Sequence, residues 1–63
     1  MKRPHKQLMQ IAESMEQYGG SFAKALGRAM RLADEENLTR IEAGWPEYMV
    51  KYYFIRKDAE AKS

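Results

Sequence analysis

Cysteine is absent from the sequence, which excludes disulfides, thiolate metal sites and thiol catalysis and agrees with a reducing compartment. Histidine is nearly absent. The single His5 stands among Lys2, Arg3 and Lys6, with no carboxylate close to it in sequence and no Ser or second His in a recognisable pairing. Catalysis and metal binding both need such partners, so His5 reads as an exposed helix-start residue. Long apolar runs are missing too. The longest nearly apolar segment, 48–55, is far short of the ~20 residues that span a bilayer. Lys2 and Arg3 are followed by no apolar run of signal-peptide length. Nor is there much charge of one sign, since 11 Lys and Arg against 9 Asp and Glu leave a net charge of +2. These absences predict a soluble intracellular protein, not an enzyme, with no cofactor or metal.

What the chain does have is aromatic surface in one place. Five of its seven aromatic residues fall between Trp45 and Ile55, where only Glu47 and Lys51 carry charge. A domain of this size buries roughly 60% of the surface its unfolded chain exposes. Without disulfides or metals, so small a chain has few ways to cover such a tract, and a second copy of itself is the economical one. The composition, 44% hydrophobic and 32% charged, is that of a folded chain, and the length allows one domain.

Helical periodicity covers the first two thirds. Pro4 suits a helix start, and Leu8, Ile11, Ala12, Met15 and Tyr18 recur at three- and four-residue spacing, which predicts an amphipathic helix over about 5–17 with Met9 at the edge of its stripe. Gly19-Gly20 ends it, through the left-handed conformation glycine tolerates past a helix terminus. Ser21 is a good N-cap for a second helix, whose expected core stripe is Phe22, Ala25, Leu26, Ala29, Met30 and Ala33. Its frequent small residues, Gly27 among them, allow another backbone to come close. Asp34 is suited to cap a third segment, with Glu35 and Glu36 in the first turn where the helix dipole favours them. Leu38, Ile41 and Trp45 share a face, and Gly44 with Trp45-Pro46 ends the segment. The second and third segments could equally run on as one bent helix.

Residues 48–55 admit two readings. Pro46 could open a helix with Tyr48, Tyr52 and Ile55 on one side. The β-branched and aromatic content of Val50, Tyr52, Tyr53, Phe54 and Ile55 favours a strand instead. A lone strand needs a partner for its backbone groups, and that partner would come from a second chain. Residues 1–3 and 57–63 are expected to fray.

Two charged motifs invite functional readings. The run Asp34-Glu35-Glu36 is acidic, but neighbouring carboxylates on a helix diverge, and capping accounts for it without a metal. Lys24, Arg28 and Arg31 line one side of the second helix, and with Arg40 they could form a basic face for DNA. The stretch Leu38 to Gly44 also resembles the end of a helix-turn-helix recognition helix. The acidic run would then face phosphates, and the glycine-containing turn of that motif is absent, so a solvated helix face is the better account.

Taken in order, Gly19-Gly20-Ser21-Phe22-Ala23-Lys24-Ala25-Leu26, Ala33-Asp34-Glu35-Glu36-Asn37-Leu38, Trp45-Pro46-Glu47-Tyr48 and Tyr52-Tyr53 resemble a family of very short early-region proteins of lambdoid temperate phages, encoded between the exonuclease and excisionase genes. The likeness runs from about Pro4 to Ile55 and lies in the ordered set, no single motif being specific. It implies a small homodimer of helices plus a short strand, in the host cytoplasm, with a non-catalytic accessory role that favours lytic development. It supplies no functional-site motif.

The expectation is therefore a mainly α, intertwined homodimer in one domain, with two or three helices and one short strand over about 48–55. Its interface would use Phe22, Leu26, Met30, Trp45, Tyr48, Val50, Tyr52 and Phe54. Leu8, Met9, Ile11 and Met15 read most simply as core; as the alternative they would meet a host or phage regulatory protein, since methionine-rich surfaces adapt to varied partners. The rival is a small DNA-binding regulator using Lys24, Arg28, Arg31 and Arg40.

Overall fold

A computed structural model describes residues 3–62, and four helices account for nearly all of them. Helix α1 spans His5–Tyr18, α2 Ser21–Leu32, α3 Glu35–Gly44 and α4 Pro46–Lys62. The mainly α class is as expected. The strand is not: residues 48–55 lie inside α4, and no strand occurs among the described residues. The aromatic run takes the helical form because α4 buries Met49 and Tyr52 against the other helices. That packing outweighs a β preference spanning only about 1 kcal/mol. Helix α4 also continues through residues expected to fray, with Arg56–Glu60 at 3.1 Å and Lys62–Asp58 at 3.0 Å as i, i+4 pairs on its last turns. At the other end Arg3 is held as well, its backbone N–H donating to Glu42 Oε2 at 2.8 Å. The remaining residues of the two expected frayed ends, 1, 2 and 63, lie outside the described residues.

The breaks between helices follow local chemistry. The Gly19 N–H donates to the Met15 carbonyl at 3.0 Å, closing α1. Gly19 is extended, at φ −82° and ψ 163°, so the left-handed ending expected there does not occur. What glycine supplies is room, since a Cβ at this position would lie 2.5 Å from the Ala23 Cβ. Ser21 is the first residue of α2 rather than its cap, and Gly20 occupies the cap position without a side-chain bond. Ala33 and Asp34 are extended, which separates α2 from α3. Asp34 caps α3 as its type and position suggest, accepting from the Asn37 N–H at 2.8 Å.

Helix α1 is the centre of the molecule. Leu8, Ile11, Ala12 and Met15 are buried along its length, and it packs on α2 and α4, while α3 makes lighter contact with α2 and α4. The core is completed by Ala23, Leu26 and Met30 of α2, Leu38 of α3, and Met49 and Tyr52 of α4. Gly27 lets α1 and α2 approach closely: a Cβ there would lie 2.6 Å from the Ala12 carbonyl oxygen and 2.9 Å from the Met15 Cβ. This close approach fixes the rotation of α2. Its buried face is Ala23, Leu26, Gly27 and Met30, while Phe22, Ala25 and Ala29, expected in the core stripe, are exposed.

One polar group sits in the core without a partner. Ser14 is 1% exposed and its hydroxyl makes no hydrogen bond among the described residues. An unpaired buried hydroxyl costs about 1–3 kcal/mol, and alanine is also the better helix former. Ser14→Ala is therefore expected to stabilise the protein, by about 1 kcal/mol. Chemical denaturation followed by circular dichroism measures this directly, and a loss of stability would show that the hydroxyl is satisfied.

Candidate functional site

The rotation of α2 leaves it with a second apolar stripe. Phe22, Ala25, Ala29 and Leu32 recur at three- and four-residue spacing on its exposed side. Leu32 is 73% exposed and Phe22 52%. Because α3 touches α2 only lightly, a groove of about 450 Å³ opens between them. Ala29, Ala33 and Ile41 line it together with Leu32 and Trp45, and Asn37 and Arg40 add polar side chains. Trp45 is held at one end by backbone geometry. It follows the last residue of α3, its N–H donates to the Ile41 carbonyl at 3.1 Å, and Pro46 begins the next helix.

A ladder of rings connects this groove to the core. Phe22 lies 6.0 Å from Trp45 and 5.7 Å from Tyr48, centroid to centroid, and Tyr48 stacks at 6.1 Å on the buried Tyr52. Aromatic pairs at such distances hold their rings in place beyond simple burial. The groove edge is thus anchored from below. A second apolar patch occupies the outward side of α4, where Val50 and Phe54 stand one turn apart at 45% and 63% exposure. Tyr53 borders this patch and meets Phe54 edge-on at 5.3 Å.

A third depression, of about 770 Å³ between α1, α2 and α4, is walled by ion pairs. Arg31 grips Glu16 through two bonds, Nε to Oε2 and Nη2 to Oε1, the latter at 2.9 Å. Arg56 Nη1 donates to Glu13 at 2.7 Å and its Nε to Glu60 at 3.1 Å. The hydrogen bond from Arg31 holds the Glu16 carboxyl below the usual carboxylate range, and that from Arg56 does the same for Glu60. A carboxyl lowered in the folded state stabilises the fold above its unfolded value and loses that contribution as pH falls through the folded one. Stability is therefore expected to decline as pH drops through and below the normal carboxylate range near 4.5. Glu16→Gln should flatten that decline, measured as the denaturation midpoint against pH. Because both carboxylates lie at the surface, Glu16 with 28% and Glu60 with 47% of its side chain exposed, the effect will be modest and will shrink in high salt.

The interface and partner residues expected from sequence are divided by this structure. Phe22, Trp45, Val50 and Phe54 are exposed and Tyr48 is half-buried, whereas Leu26, Met30 and Tyr52 belong to the core. Leu8, Ile11 and Met15, expected to meet a partner, are at most 1% exposed, and Met9 is half-buried against them. Their stripe faces inward because α1 is sandwiched between α2 and α4. The groove residues Leu32 and Ala29 take over as accessible apolar surface. Leu32 escaped the sequence reading, although its spacing from Ala29 and Phe22 is the signal that could have found it.

The basic face is also divided. Arg31 is committed to Glu16, and Arg40 lies on α3 with Glu36 at 2.9 Å. Of the four, Lys24 and Arg28 form no ion pair among the described residues. His5, with no acidic neighbour in sequence, acquires one in space, as Glu35 Oε1 lies 3.4 Å from its Nδ1 on the exposed surface. No three His, Asp or Glu side chains converge on a possible metal position among the described residues. No described helix is long and apolar enough to cross a membrane.

Over the described residues, fold and surface define a small chain of four helices with an aromatic-edged apolar groove. No protein-family model, curated protein or solved structure matches this chain.

Proposed function

We propose that this chain is a non-catalytic association protein. Two copies join through the outward face of α4 around Val50 and Phe54, and the α2/α3 groove receives a host or phage regulatory protein. The carrying observation is the amount of apolar surface left uncovered: Tyr18, Phe22, Leu32, Trp45, Val50 and Phe54 are all at least 36% exposed in a molecule only 34 × 25 × 18 Å across. Exposed apolar patches of this kind, bordered by polar residues, mark interaction surfaces. The sequence likeness to short early proteins of lambdoid phages supports a role in the host cytoplasm that favours lytic development.

Sedimentation equilibrium at low micromolar concentration tests the self-association. A dimer is expected for the natural chain and a folded monomer for Val50→Glu/Phe54→Glu. A natural chain that remains monomeric would remove the dimer. Protection of Leu32 and Trp45 from labelling or quenching in extracts of infected cells, compared with buffer, tests whether the groove is occupied.

A further inference from the structure

We infer that the groove between α2 and α3 takes an acidic amphipathic helix, seated with its apolar face on Ala29, Leu32, Ile41 and Trp45. The inference rests on reading this groove as the partner site and adds the chemistry of the occupant. The floor is apolar, and no carboxylate lines it among the described residues. Its stripe continues along α2 through Ala25 and Phe22 with the three- and four-residue spacing at which a docked helix presents its own anchors.

Charge then selects among amphipathic helices. On α2, next to the exposed stripe, Lys24 and Arg28 stand one turn apart, exposed and without an ion pair among the described residues. On the α3 side Arg40 lines the groove with its side chain 70% exposed. Its carboxylate partner, Glu36, is an i, i+4 surface contact of the kind that contributes little and exchanges readily. Exposed cations thus flank the α2 stripe beside the apolar floor, and Arg40, paired with Glu36, stands on the α3 side. A helix with Asp or Glu flanking its apolar face would pair with Lys24 and Arg28 and compete with Glu36 for Arg40, while one with basic flanks would be repelled by Lys24 and Arg28. Duplex DNA could answer the cations, but its phosphates would leave Leu32 and Trp45 without an apolar partner, and the character of the floor therefore favours a peptide.

Trp45 is the only tryptophan in the chain and lines the groove at 36% exposure, so its emission reports occupancy without a label. The test titrates the full chain with two synthetic amphipathic helical peptides that share one Leu/Phe face, flanked by Glu in one and by Lys in the other. The Glu-flanked peptide is expected to shift Trp45 emission to the blue, saturably, with at least about tenfold higher affinity than its Lys-flanked counterpart at low salt. That gap should narrow as salt is added. Lys24→Glu/Arg28→Glu should weaken the Glu-flanked peptide by about tenfold or more and reduce or reverse the preference. Lys62→Glu, at the far end of α4, should leave it within about twofold.

Ala29→Glu, an exposed helix position, should weaken both peptides, and circular dichroism verifies that each variant keeps its helices. Equal affinities, or tighter binding of the Lys-flanked peptide, would overturn the acidic assignment while leaving the groove as a partner site. Silence of Trp45 towards both peptides would overturn the groove reading with it. Duplex DNA that displaces the Glu-flanked peptide, with steep salt dependence, would overturn the proposal in favour of a nucleic-acid surface.

Discussion

Gly27→Ala is expected to destabilise the protein by about 1–3 kcal/mol, the cost of forcing extra volume into a packed interior. The direction is opposite to helix propensity, which favours alanine by about 1 kcal/mol. Packing wins because the new methyl group would meet the Ala12 carbonyl oxygen at 2.6 Å, and backbone cannot swing aside as a side chain can. Relief would require α1 and α2 to separate, which loosens the contacts of Met15 and Met30, both completely buried. Gly44→Ala is the matched control. It ends α3, has open space where its Cβ would lie, and adopts no positive φ, so there the propensity gain should appear unopposed. Urea denaturation of both variants measures the difference. A stabilised Gly27→Ala variant would show that the two helices do not approach this closely.

Tyr52→Ala and Phe54→Ala are expected to diverge although the residues are two apart on the same helix. Tyr52 is 4% exposed and stacks on Tyr48, so truncation should cost about 3–5 kcal/mol, the range for a buried aromatic. Phe54 is 63% exposed, and its truncation should change the stability of an isolated chain by less than about 0.5 kcal/mol. Its effect belongs to association. If α4 joins two chains, the natural protein's denaturation midpoint rises with protein concentration, and Phe54→Ala removes that dependence. Equal losses from the two variants would mean that the outward side of α4 is covered within one chain.

Much of the helical plan was legible because helix ends are written in local chemistry. Asp34 followed by two glutamates, Gly19-Gly20, and Gly44 before Trp45-Pro46 each alter which backbone groups can be satisfied, whatever lies elsewhere in the molecule. Arg3 with Glu42, Arg31 with Glu16 and Arg56 with Glu13 were invisible, since their partners lie 15 to 43 positions away. The candidate site was half legible. Phe22 and Trp45 stood out as aromatics, but Leu32 looked like one more apolar residue at the end of a helix.

The sequence by itself determined the extent of α1, the start of α2 and the end of α3, and it concentrated the aromatics in one tract, because caps, glycines and prolines act within a turn or two of themselves; the break between α2 and α3 it left open. The tertiary structure decided the rest. The tract became a helix, and in that form it buries Met49 and Tyr52 against the neighbouring helices. On α2, Leu26 and Met30 compete with Phe22, Ala29 and Leu32 for the interior, and composition does not separate the two stripes. The room at Gly27 and Ala23 does, since it lets α1 lie against one side of α2 and leaves the other facing outward as the wall of a groove.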